Sequence, residues 1–475
     1  MARARELVAP SFYGVSSATS SVFDLPVHPE THRHTHAPTP GSRGANAQPS
    51  PDADDEETTS IVVISGGTGC NSICSAFGRR ASYVLPVSDN GGSSAEIIRV
   101  LGGPSIGDIR SRLIRLIPET SPTSSLYAIR ALLAHRIPPA LSEDEARAQW
   151  RDIVEGHSPL WHDIPADRKE MIRGFLVYFE GEVLKRADKK FSFRNGSVGN
   201  YFLAGAQLFF RSLPSGEASP IFLFSSMTSS QASILPVVVT NHTVTIAAKL
   251  EDETTLVGQC EISHPVGEVQ IRLQMEDVED PEDGPGLTVQ AQNAIFEKGS
   301  SGHDTLPAPI SRLFYINAYG QGKHQTFPKP NPDFIRMLRE SELLIYSCGS
   351  LWTSIIPCLA LRGVAHGIAS SNSLRAKILL LNSRNDRETT GYTGVDYLTT
   401  IVRTLNETDA KEPSARPSSA YITHLVYLKD GTVPVDEDSV ARMGIKCICV
   451  GGNTYDEDGV ARFDTAAVHA ALDNI

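Results

Sequence analysis

At 475 residues the chain is long enough to bury at least one large core, and length alone allows two or three domains. A formal net charge of −12 argues against a nucleic-acid binder, which needs clustered Lys and Arg to meet phosphate. Between Glu251 and Asp283 lie eleven acids and a single base, Arg272, so the rest of the chain is close to neutral and can accept an anionic ligand.

Seven cysteines stand at positions 70, 74, 260, 348, 358, 447 and 449, an odd number without a C-x-x-C pair. That pattern suits reduced, mostly buried thiols rather than a disulfide framework or a zinc site. No apolar run reaches the ~18 residues of a membrane span. The opening M-A-R-A-R-E-L-V carries arginines as a mitochondrial transit segment would, but Glu6 and Asp24 count against one, and a cytoplasmic protein is expected.

Residues 1–58 read as a disordered tail of Pro, Ser, Thr, His and Asp; its His28, His32, His34 and His36 could bind a transition metal weakly, although low-complexity drift explains them as well. From residue 59 to 475 the pattern is one α/β domain of apolar strand, Gly/Ser loop and helix. Strands are expected at Ile61–Ile64, Tyr83–Val87, Ile234–Thr240, Thr243–Lys249, Arg312–Ala318, Leu343–Tyr346, Lys377–Leu381, Ile422–Tyr427 and Lys446–Val450. Helices are expected at Ala95–Leu101, Ile106–Ile117, Ser124–Leu133, Asp167–Ala187, Val198–Arg211, Pro332–Glu340 and Thr393–Leu405. The alternation predicts a Rossmann-like three-layer sandwich around a mainly parallel sheet. Two inserts interrupt it: a helical, charged one at 138–195 and an acidic hairpin and loop at 256–304, read as a solvated decoration.

Three loops carry the chemistry. Ser65-Gly66-Gly67-Thr68-Gly69 follows the first strand, where glycines permit positive φ and close ligand approach, and a short helix starts near Asn71. The loop matches neither the dinucleotide fingerprint nor the P-loop pattern, which counts against a dehydrogenase. Asp89-Asn90-Gly91-Gly92-Ser93-Ser94 follows the second strand. Its serines suit helix capping, but capping does not explain Asp89 and Asn90 at a strand's carboxyl end, where α/β folds gather reactive groups. Gly107-Asp108-Ile109-Arg110 opens the next helix, with an acid that can ligate a hard metal and an arginine that can clamp phosphate.

In order, S-G-G-T-G, D-N-G-G-S-S, G-D-I-R, G-N-Y-F-L-A-G-A (199–206), S-C-G-S-L-W-T-S-I-I-P (347–357) and N-S-R-N-D-R-E-T-T-G-Y-T-G-V-D-Y (382–397) resemble the CofD/YvcK family, most closely its YvcK branch. The resemblance implies a Rossmann-like sheet with ligands at its carboxyl edge. In the CofD branch it implies a magnesium-dependent transferase, moving a phospholactyl-type group from a guanosine diphosphate carrier to a deazaflavin hydroxyl and releasing GMP. In the YvcK branch it implies a regulator of bacterial carbon metabolism that binds a nucleotide sugar or dinucleotide.

Carried over, Gly66, Gly67, Thr68 and Gly69 would contact phosphate, with Asn90, Gly91, Gly92, Ser93 and Arg110 completing the nucleotide site. Asp89 and Asp108 would be catalytic and hold Mg2+. Asn200 would hydrogen-bond the nucleotide, and Gly349, Ser350, Thr353 and Ser354 would form a second phosphate cradle. Three positions depart from the family pattern: Ser65 replaces a glycine, Asn90 an aspartate, and Tyr397 a histidine. The second removes a charge and the third an acid–base group. The expected function is a CofD-like transfer of a phosphoester group to a hydroxyl; the alternative is a non-catalytic binding protein of the YvcK type. The expected partner is a nucleotide or nucleotide sugar, with no nucleic acid or membrane, and a homo-oligomer is allowed. Asp89 is expected to lie exposed on its loop.

Overall fold

The computed structural model describes residues 59–67, 69–78, 80–211, 219–228, 232–264, 305–317, 324–408 and 415–475. The tail, Thr68 and nearly all of the acidic insert therefore lie outside the described residues. Every element below belongs to the unit Glu56–Ile475.

The strands, in chain order, are β1 (Ile61–Ile64), β2 (Ala81–Leu85), β3 (Ser233–Pro236), β4 (Thr245–Leu250), β5 (Thr255–Val257), β6 (Ile310–Ile316) and β7 (Gln325–Thr326). They continue as β8 (Leu343–Tyr346), β9 (Ala376–Leu380), β10 (His424–Leu428), β11 (Lys446–Val450), β12 (Thr454–Tyr455) and β13 (Ala461–Arg462). Seven of them form one sheet in the order β11-β10-β9-β8-β1-β2-β3, every pair parallel. The runs I-V-V-I, A-S-Y-V-L, L-L-I-Y and A-K-I-L-L of β1, β2, β8 and β9 are buried throughout, as strands covered on both faces must be. Each fully buried Val, Leu or Ile contributes about 1.5–3 kcal/mol, so the tips of these strands are rigid platforms. The chain winds outward from β1 in one direction and from β8 in the other. Their shared border is the topological switch point, where α/β sheets open a crevice at the carboxyl edge.

The helices needed here are α1 (Gly92–Leu101), α2 (Gly107–Arg115), α3 (Ser125–Ala134), α4 (Glu143–Glu155), α5 (Ala166–Leu184), α6 (Val198–Phe210), α7 (Pro220–Thr228) and α8 (Gln259–Ser263). Helices α4 and α5 fall between residues 138 and 195. Ser142 and Glu145 close a capping box on α4, and Gly156 ends it in the left-handed region at φ 83°. Trp150, Phe179, Phe193 and Tyr201 pack together and tie α4 and α5 to α6. The segment leaves and returns through one narrow neck, where Arg136 bridges Ser197 and the N–H of Ile137 donates to the carbonyl of Gly196 at 2.8 Å.

Several elements differ from expectation. Thr243–Lys249 and Arg312–Ala318, expected within the main pattern, do not join the parallel sheet. They form β4 and β6 of a separate antiparallel sheet, β5-β4-β6-β7, whose strands leave some residues half-exposed. The start of the expected acidic hairpin is the end of β5 followed by helix α8. Helix α7 was unrecognised because P-I-F-L-F-S-S-M-T is apolar without a helical period; the Ser219 hydroxyl accepts the N–H of Phe222 at its start. Among the described residues no helix is long and apolar enough to cross a membrane.

Candidate functional site

The loop after β1 lies in the crevice between β1 and β8. None of Ser65, Gly66, Gly67 and Gly69 has positive φ, so conformational freedom is not why glycine stands there. Space is the reason. A Cβ on Gly66 would lie 2.2 Å from Ser354 Oγ, one on Gly67 2.2 Å from Asp108 Oδ1, and one on Gly69 2.7 Å from the Cys348 carbonyl. The loop after β1 therefore packs against the side chains of Ser354 and Asp108 and against the backbone of the loop after β8.

Arg112, fully buried, braces this loop from within. Its Nη2 donates to Ser65 Oγ at 3.2 Å and to the Gly66 carbonyl at 3.0 Å, and its Nη1 donates to the Cys70 carbonyl at 3.2 Å. The guanidinium carbon sits 4.7 Å from the centre of the Tyr83 ring. Ser65, in place of a glycine, thus has a partner that a glycine would lack.

The second loop carries Asp89, whose Oδ1 accepts the N–H of Gly91 at 2.9 Å. Asp89 is half-buried rather than exposed, and burial lifts its pKa to about 6. Asp108 opens α2, accepts the N–H of Gly67, and is pushed up to about 7 by burial and then by the charge of Asp89, against the pull of Arg112. The two carboxyls titrate as a pair. Cys260 and Cys348 stand beside these loops, and burial raises each to about 12, so neither is a thiolate nucleophile.

Other expected ligand contacts are already occupied by protein partners. Ser93 and Ser94 lie inside the first turn of α1, whose N-cap is Gly91, followed by Gly92 at φ 52°. Asn90 reaches α8, its Oδ1 accepting the N–H of Cys260 at 2.9 Å, which ties that helix to the loop. Asn200 is buried, donating from Nδ2 to Ser93 Oγ at 2.7 Å and accepting Arg110 Nε at 3.3 Å, so it positions Arg110.

The second phosphate cradle is largely filled from within. Glu388 Oε2 accepts the N–H groups of Trp352 and Thr353 at 3.0 and 3.1 Å, and Oε1 accepts the Thr353 hydroxyl at 2.6 Å. Gly349, at φ 143°, has both backbone polar groups paired with Asn382. Ser350 and Ser354 remain, half-buried, with Ser354 against Gly66. Tyr397 is a buried brace: its hydroxyl bonds Asn385 at 3.1 Å and Thr389 at 3.0 Å, steadying the turn that carries Glu388. Arg112, Arg136, Glu388 and Asn382 were not singled out from the sequence; only the last two lie within a block that resembled the family.

Residues 61–450 match the family model of 2-phospho-L-lactate transferase CofD. The chain belongs to the CofD family. The uncharacterized protein YNL011C of Saccharomyces cerevisiae is 33% identical over 443 residues, covering 82% of this chain and 94% of its own. The gluconeogenesis factor of Halalkalibacterium halodurans is 21% identical over 72% of each chain. Among solved structures, protein BH3568 of Bacillus halodurans matches with a TM-score of 0.55 at 18% identity, covering 87% of this chain and 99% of that one, a likeness of fold.

Two expectations follow for this CofD-family chain. Arg112→Met orphans the carbonyls of Gly66 and Cys70, at about 1–3 kcal/mol for each buried group left unpaired, and should lower the urea midpoint accordingly. An unchanged midpoint would mean the loop holds itself. Burial, with the charge of Asp386, raises the Glu388 carboxyl from 4.5 to about 8 despite its three donors. Between those values the folded chain holds a proton that the unfolded chain has lost, so this group makes stability fall as pH rises. Glu388→Gln should narrow the difference between urea midpoints at about pH 5 and about pH 8; an equal difference in both proteins would contradict the assignment.

Proposed function

We propose that this chain is a metal-assisted transferase. It would move a phosphoester group, of the phospholactyl type, from a nucleoside diphosphate carrier to a hydroxyl acceptor. The observation that carries the reading is the Asp89 and Asp108 pair, two carboxyls held close at the edge of a glycine loop, each with its pKa raised toward neutrality.

The donor set fits magnesium. Two hard carboxylates, with no cluster of three or more His, Cys, Asp or Glu among the described residues, match an ion that takes one or two carboxylates beside substrate phosphates. When bound, magnesium would offset charge on the phosphates and the leaving group. Gly66 and Gly69 present backbone N–H groups that no acceptor takes among the described residues, and Ser354 adds a hydroxyl beside Gly66. Gly67 instead spends its N–H on Asp108, which keeps that carboxylate aimed along the loop. Arg112 holds the loop in place, so little rearrangement is needed when charge shifts, the condition under which such transfers are fastest. The proton released by the acceptor would pass to Asp89 or to solvent.

Metal binding needs both carboxyls ionised, so affinity should fall as pH drops from about 7 through about 6. Titration of the full chain with Mn2+ as a paramagnetic probe, with and without GDP, tests this. Asp89→Asn should weaken Mn2+ by about tenfold or more and abolish Mn2+-dependent GDP binding, on the scale of lost ligand-shell contacts. Metal-independent binding of UDP-N-acetylglucosamine, equal in wild type and Asp89→Asn, would replace the transferase with a binding protein.

A further inference from the structure

Helix α2 presents opposite faces to two parts of the cleft. Asp108 and Arg112, four apart, face the glycine loop, as residues one helical turn apart must. Arg110, two positions from each, points the other way, its Cγ and Cδ each 3.1 Å from where a Cβ on Gly199 would stand and its Nε on Asn200. There it meets a second cation. Arg136, at the neck of the helical segment, lies with Nη1 4.0 Å from the Cβ position of Gly92, in the first turn of α1. That side chain is anchored, Nη1 donating to the Asn195 carbonyl at 2.6 Å, with Asn195 in the left-handed region at φ 54°.

We propose that Arg110 and Arg136, together with the start of α1, form a second anion site that takes one oxyanion, phosphate or carboxylate, on a part of the ligand beyond its diphosphate. This rests on the transferase reading for the rest of the ligand.

Three observations support it. The two guanidiniums repel one another, and burial together with Arg136 lowers Arg110 to about 10. Among the described residues no carboxylate acts on either arginine, although Asp89 and Asp108 are held only a loop away. The N-cap of α1, Gly91, offers no side-chain cap and gives its own N–H to Asp89 Oδ1, while the N–H groups of the following turn add partial positive charge at the same place. Two close arginines carry a standing electrostatic cost unless an anion shares them. Asn200 spans the gap, bonding both Ser93 on α1 and Arg110 on α2, so the arrangement is set before any ligand arrives.

The test is titration of the full chain with inorganic phosphate, and separately acetate, with and without saturating GDP and magnesium. Wild type should bind phosphate in both conditions. Arg136→Gln should weaken it by about tenfold or more, the scale of a lost charge-assisted contact, and Arg136→Lys by less. Thermal unfolding confirms that each variant is folded. Phosphate affinity unchanged in folded Arg136→Gln and Arg110→Gln, or absent from wild type, overturns the proposal. Arginine-dependent phosphate binding without any GDP binding would keep this site and remove the transferase reading. A preference for acetate would identify the group as a carboxylate.

Discussion

A single buried guanidinium fixes the geometry on which the cleft depends. Among the described residues no carboxylate is a hydrogen-bonding partner of Arg112; its Nη1 and Nη2 donate to the carbonyls of Gly66 and Cys70, to Ser65 Oγ and to the Cys70 sulfur at 3.1 Å. Its Nη1 and Nη2 groups are satisfied while Nε has no partner among the described residues, and carbonyl oxygens cancel less of the net charge than a carboxylate would. The residual positive field reaches Asp108, where it opposes burial and the repulsion of Asp89. One side chain thus shapes the loop and moderates the acid pair beside it. A neutral side chain of equal volume could fill the space but could do neither.

The acids themselves lie where charge is costly. Asp89 and Asp108 have folded pKa values above their ordinary ones, so near neutral pH the folded chain bears a cost that the unfolded chain does not. Glu388 adds to the same imbalance from the β8 side. A sequence selected for stability alone would place amides at these positions. Carboxyls with raised pKa values recur at functional sites, and a switch point is where α/β folds place such sites.

Much of the fold and part of the site were legible in the sequence, and the boundary between legible and hidden is physical. The central strands of the parallel sheet announce themselves because burial on both faces makes them continuous apolar runs. The glycine loop, Asp89 and Asp108 stand at strand tips and helix starts, where local pattern suffices. Arg112 and Arg136 look like ordinary surface arginines, since nothing adjacent in sequence tells that one is swallowed by the loop and the other swings over α1. Glu388 caps N–H groups thirty-five and thirty-six residues upstream, a pairing set by β9 returning beside β8. The partner of Asn90 is hidden for the same reason: Cys260 lies 170 residues away. Local spacing reveals what a residue could do, and tertiary contacts decide what is left for it to do.

The helical segment between residues 138 and 195 illustrates this most fully. As sequence it is an interruption; as structure its two ends, Arg136 and Asn195, meet at the cleft. Helix α6 then joins the parts through consecutive residues that point apart. Asn200 faces α1 and α2, while Tyr201 enters the aromatic cluster with Trp150, Phe179 and Phe193. Gly196 is required at this junction, since a Cβ there would fall 1.8 Å from the Tyr201 hydroxyl oxygen. The packed rings fix the rotation of α6, the rotation fixes Asn200, and Asn200 fixes Arg110. A supporting shell of this kind is what keeps polar groups of a site in register when no ligand is there to order them. The segment therefore helps to set the cleft's geometry through a neck a few residues wide, its aromatic core acting on Arg110 by way of α6.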